Sequence, residues 1–97
     1  MPKLMNDING PTLDAGFGNI IPKSRIVGIV AYDSDPMRRH CQELEKMHRV
    51  IDATKGRKVK SVIFLDSSHV VLSSVARETL GERLAGRSEH PGSENPL

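Results

Sequence analysis

The sequence predicts an α+β domain, with a small, mostly antiparallel sheet, one central amphipathic helix and a short C-terminal helix. Three observations point there. Short runs rich in β-branched residues recur along the chain, at Arg25–Ala31, Lys60–Asp66 and Val70–Ser74. One stretch after Pro36 repeats its apolar residues at helical spacing. The strands also follow in succession, with a single helix among them and one more at the end.

Taken in order, residues 1–12 mix Asn-Gly-Pro punctuation with no sustained period and read as a flexible arm. Gly16-Phe17-Gly18-Asn19 is turn chemistry between two short extended pieces. RIVGIVA, from Arg25 to Ala31, reads as a buried strand. Asp33-Ser34-Asp35-Pro36 then starts a helix, with Ser34 or Asp35 as N-cap and the proline in the first turn, where its missing N–H costs nothing. Met37, Cys41, Leu44 and either Met47 or His48 share one helical face, opposite Arg38, Arg39, Gln42, Glu45, Lys46 and Arg49. Val50-Ile51 is a short strand before the basic loop DATKGRK. Lys60–Asp66 and Val70–Ser74 form a hairpin about Ser67-Ser68-His69, and Ala76–Leu84 closes the domain as a helix. Residues 85–97 hold Gly, Ser, Pro and Glu with almost nothing to bury, the composition of a disordered tail. The folded domain is therefore expected over residues 13–84.

Composition narrows the function. The chain has 97 residues, of which 37% are hydrophobic, with two Phe, one Tyr and no Trp. A monomer of this size buries only about 60% of its unfolded surface. Cys41 is the only cysteine, so no intrachain disulfide helps, and its solitude fits a reducing, cytoplasmic setting. Self-association is the remaining inexpensive stabiliser. No apolar run approaches the roughly 18 residues of a membrane span. The net charge is only +2, but Pro36–Lys60 carries eight basic residues against three acids. A basic middle calls for an anionic partner.

Lys55-Gly56-Arg57-Lys58-Val59-Lys60 is the sharpest feature. Glycine permits a tight turn that presents Arg57 and Lys58 side by side, and alternation along a strand then puts Lys58 and Lys60 on one face. Arginine offers phosphate a bidentate fork and lysine a mobile point charge. Arg25 opens the first long strand. Arg38 and Arg39 sit in the first helical turn, where they oppose the macrodipole and an anion would relieve them.

Catalytic and metal readings fare poorly. Asp66, Ser67, Ser68 and His69 supply the residue types of a hydrolase triad, but neighbours in one turn rarely place an imidazole between hydroxyl and carboxylate. His40, Cys41 and His48 lack the further ligands of a metal site. Gly16-Phe17-Gly18 lacks the third glycine of a dinucleotide loop, and Gly56-Arg57-Lys58 lacks the rest of a P-loop. Neither an enzyme nor a cofactor is expected. Single-strand and RNA readers stack bases on exposed aromatics, which are scarce here, so double-stranded DNA is the favoured partner.

AGFGNIIPKSRIVGIV, SDPMRRHCQE and IDATKGRKVKSVIFLDSSHVVLSSVARETLGERL closely resemble the RemA-like family of bacterial extracellular-matrix regulators, in order and over about Leu13–Leu84. The resemblance implies a DNA-binding transcriptional regulator that assembles into closed homo-oligomeric rings, with DNA on the outer basic surface. It places DNA contacts at Arg25, Arg57 and Lys58, and a structural role at Pro36. Two departures stand out: Arg57-Lys58 where the family often has two arginines, and Lys55 where a tyrosine is common. Backbone affinity is expected to survive them, while a family member's sequence specificity is not assumed. The expected DNA-binding set is Arg25, Arg38, Arg39, Arg57, Lys58 and Lys60, in a cytoplasmic, nucleoid-associated protein. A ring-shaped adaptor for an acidic protein and an RNA-binding module are the competing readings.

Overall fold

The computed structural model of the chain describes residues 12–86. Its elements in order are β1 (Thr12–Asp14), β2 (Ile20–Pro22), β3 (Ile26–Ala31), α1 (Asp35–Lys46), β4 (Val50–Asp52), β5 (Ser61–Leu65), β6 (Val70–Ser73) and α2 (Arg77–Leu84). The fold is α+β, as expected. Arg25 sits in a 3-10 turn, Lys23–Arg25, that feeds β3. Thr12, expected in the arm, is the first residue of β1, and Ala85 caps α2. The rest of the expected arm, and the expected tail beyond Gly86, lie outside the described residues.

β1 and β2 form a two-stranded antiparallel sheet. The other four strands take the order β3-β5-β6-β4. β5 pairs antiparallel with β3 and β6, whereas β4 lies parallel to β6, so this sheet is mixed. The parallel pairing has a consequence for the basic segment. To pass from β4 to β5 the chain must step over the end of β6, and residues 53–60 make that step.

Alternation along β5 and β6 builds two cores. Ile63 and Val71 join Leu13, Ala15, Ile21, Ala53 and Leu80, beneath the small sheet and α2. Val62 and Val70 face the other way, against Cys41, with Met37 and Leu44 of α1 packed alongside. Central strands buried on both faces explain why their sequences are nearly unbroken apolar runs. Among the described residues the buried hydroxyls of Thr54, Ser61 and Ser73 are bonded, Ser61 Oγ donating to Val75 O at 2.6 Å and Ser73 Oγ to Ala15 O at 2.7 Å. In β3 the register slips between Ile26 and Gly28, and Val27, at the bulge, is 71% exposed.

Candidate nucleic-acid interface

Asp52 ends β4 and folds the basic loop back on itself. Its Oδ1 accepts the Thr54 N–H at 2.9 Å and the Thr54 hydroxyl at 2.6 Å. These two bonds to the charged form, led by the hydroxyl, hold the Asp52 carboxyl below its ordinary value. The Arg57 N–H then donates to Thr54 O at 3.0 Å across Lys55 (φ 54°) and Gly56 (φ 80°). Positive φ at both central positions is the type I′ geometry, which favours glycine at the second. Lys58–Lys60 continue in an irregular segment rather than in the strand itself, which starts at Ser61. Lys60 is nonetheless tied on both sides, its N–H donating to Ser73 O at 2.8 Å and its carbonyl accepting the Tyr32 N–H at 3.0 Å.

The loop is thus anchored at each end and carries Lys55, Arg57, Lys58 and Lys60, all exposed. Among the described residues the ion pairs are Arg25–Asp66, Arg38–Asp35, Lys46–Glu43 and Arg77–Glu78, and none includes a loop cation. Four positive charges within six positions, none of them paired with an acid among the described residues, create a field that a polyanion would relieve.

A second turn meets the first. Gly16–Asn19 repeats the type I′ pattern, with Phe17 at φ 55°, Gly18 at φ 78° and the Asn19 N–H donating to Gly16 O at 3.0 Å. Phe17 is 48% exposed. Lys55 Nζ stands 5.9 Å and the Arg57 guanidinium carbon 5.5 Å from the ring centroid, both cation–π contacts. The sequence marks Phe17 as a turn residue and one of few aromatics, not as a neighbour of the basic loop. The signal that could have marked it is local: a bulky ring between two turn glycines has few neighbours to bury it.

On the other side of the loop, Lys58 and Lys60 line an open cleft of about 350 Å³ with Tyr32, Arg38 and Arg77. Arg38 lies 5.9 Å over the Tyr32 ring and is braced by Asp35 at 2.8 Å. Asp33 and Glu78 temper the charge there. The sequence offers Tyr32 only as one of three aromatics and does not mark Arg77, because what makes them neighbours is the meeting of β3, the loop and α2.

The structure therefore gathers Arg38, Arg57, Lys58 and Lys60 around one end of the large sheet. Arg39 is exposed on α1 and enters no ion pair among the described residues. Arg25 stands apart: Ile26 pairs with Leu65 while Ala31 pairs with Ser61, so β3 separates Arg25 from the loop by roughly 20 Å. Arg25 is 3.4 Å from Asp66, an exposed pair of small energetic weight.

In the Asp66–His69 turn, Ser67 Oγ does lie 2.9 Å from His69 Nδ1, but the Asp66 carboxylate pairs with Arg25 and no triad forms. No group of three or more His, Cys, Asp and Glu among the described residues could hold a metal ion. His40 stacks on Phe64 at 6.1 Å, and burial pushes the Cys41 thiol up, away from the reactive thiolate. No described helix is long and apolar enough to cross a membrane.

Comparison with known proteins adds a family to this geometry. Residues 12–84 match the family described as "RemA-like: Extracellular matrix regulatory protein A-like". Relatives bearing the name "Putative regulatory protein" include one from Nitratidesulfovibrio vulgaris, 46% identical over 77 residues that cover 79% of this chain and 90% of the relative. One from Halalkalibacterium halodurans is 41% identical over 85 residues, covering 88% and 98%. A third, from Heliobacterium modesticaldum, is 47% identical over 83 residues, covering 84% and 91%.

Proposed function

The chain belongs to the RemA-like family, and from that membership we propose that it is a homo-oligomeric transcriptional regulator that binds double-stranded DNA. Its relatives' shared name supports the regulatory part. The observation that carries the DNA part is the anchored turn with four cations in no ion pair among the described residues, Lys55, Arg57, Lys58 and Lys60. Arg57 and Lys58 grip phosphate oxygens at the tip. Lys60 and Arg38 take a neighbouring phosphate at the cleft mouth, with Arg39 assisting. Nucleoid association in the cytoplasm follows from that grip.

One subunit with a few phosphate contacts binds weakly at physiological salt, since each contact contributes only about one unit to the salt-dependence slope. Repetition of the patch in a closed ring raises affinity through effective concentration. Two features support self-association. An almost wholly apolar groove of about 260 Å³ runs between Ile20, Pro22, Ile51 and Leu65. At its rim Ile20 is 65% and Ile51 48% exposed, costly for a lone domain and useful at a subunit contact. The same reading keeps Arg25, at the far end of β3 from the loop, as a further contact of the assembled protein.

Arg57→Ala tests the reading. Duplex titrations at several salt concentrations are expected to show at least tenfold weaker binding and a flatter salt slope, with an unchanged solution mass. Unaltered binding removes the loop from the site. Single-stranded RNA binding more tightly than duplex at equal salt would favour the RNA reading.

A further inference from the structure

The exposed ring of Phe17 is not explained by phosphate binding. A bulky residue at φ 55° is a backbone outlier. The turn keeps it there rather than letting it swing inward, although the core that holds Leu13 and Ala15 begins two residues away. Gly16 fixes the base of the turn: a Cβ there would meet Val75 Cγ2 at 3.2 Å, and its φ of 110° suits glycine alone. The Asn19 amide closes the turn by donating to Gly16 O at 2.8 Å. Lys55 occupies the same position of the facing turn, so the two turns hold ring and cation toward each other. Around the ring stand Lys55 and Arg57, both without acidic partners among the described residues.

An apolar wedge flanked by cations has a specific complement in duplex DNA. In the minor groove, phenylalanine and other apolar side chains insert at base steps and bend the duplex. Lysine and arginine beside them meet the groove's negative potential and its bordering phosphates. We propose that Phe17 enters the minor groove as a wedge at a flexible base step, with Lys55 and Arg57 on the phosphates at either side. The inference rests on the duplex-binding reading and adds to it a contact that is not electrostatic, together with a bend in the DNA. Pyrimidine–purine steps, which unstack most easily, are the preferred sites.

The distinguishing property is salt dependence. An apolar contact adds affinity without releasing counterions, whereas a phosphate contact does both. The full chain, Phe17→Ala, Phe17→Trp and Arg57→Ala are titrated against a duplex with a central TA step at several salt concentrations, with end-to-end energy transfer reporting the bend. The full chain is expected to bend the duplex. Phe17→Ala is expected to bind about tenfold more weakly, the size of one aromatic–base contact, with the salt slope unchanged and the bend reduced. Phe17→Trp retains both. Phe17→Gln is read by the same criteria if the alanine variant does not fold.

Three outcomes overturn the inference: binding by Phe17→Ala within twofold of the parent, a slope that flattens as it does for Arg57→Ala, or loss of assembly on removing the ring. In the second case Phe17 only positions Arg57, and in the third it belongs to a subunit contact. If the unaltered chain ignores the duplex, the duplex-binding reading itself fails. If the chain binds through Arg57 and Phe17→Ala behaves like it, the wedge alone fails.

Discussion

Asp52 places an acid beside four cations and so lowers their attraction for a polyanion, yet its two bonds to Thr54 shape the turn that presents them. Asp52→Asn keeps an Oδ1 acceptor and removes the charge. It is expected to bind duplex DNA two- to threefold more tightly at low ionic strength, an advantage that salt screening erases above about 0.3 M in titrations. Its stability should move the other way. The folded carboxyl titrates below the unfolded value of about 4. The stabilisation is therefore complete above that pH and is lost as pH falls through the lower folded value. Thermal melts of parent and variant should differ at pH 7 and converge in strong acid. Much of the site was legible at this scale, because Lys55–Lys60 announces itself by charge. The glycines flanking Phe17 mark only its exposure; its neighbours Lys55 and Arg57 lie about forty positions further on, and no local pattern encodes that proximity.

Among the elements, α1 was the most legible. Of the two N-cap candidates, Ser34 caps it, its Oγ accepting the Met37 N–H at 3.3 Å with Pro36 in the first turn. Cys41 and Leu44 face the sheet as their spacing requires. Ser34→Ala should cost about 1 kcal/mol in chemical denaturation, as loss of a cap generally does. α2 is weaker in pattern, with Leu80 as its buried residue, and Leu80→Ala should cost about 3 kcal/mol by the same measurement. The strands were legible as apolar runs, but their partnering was not. Nothing local to Val50–Asp52 says that it pairs parallel with β6. That pairing is what carries residues 53–60 over the sheet end, so the alternation expected for Lys58–Lys60 gave way to a bridging segment. The large sheet's hydrogen bonds reach past the assigned strand to Lys60, which is why the expected strand start fell one residue early.

For the molecule as a whole, the decisive quantity is apolar surface left uncovered. Val27, Ile20 and Ile51 are exposed on different strands, and a chain of 97 residues has little core with which to offset them. Ile51→Glu is expected to yield a folded monomer by light scattering and circular dichroism, with duplex affinity at least tenfold lower because the repeated patch is lost. An Ile51→Glu protein that still assembles would place the subunit contact elsewhere. The two ties on Lys60, to Ser73 and to Tyr32, bear on the proposed duplex contact. A grip whose backbone is already set before encounter surrenders little freedom on capture. On the proposed duplex reading, arrival would then be governed by long-range attraction rather than by a search among loop shapes.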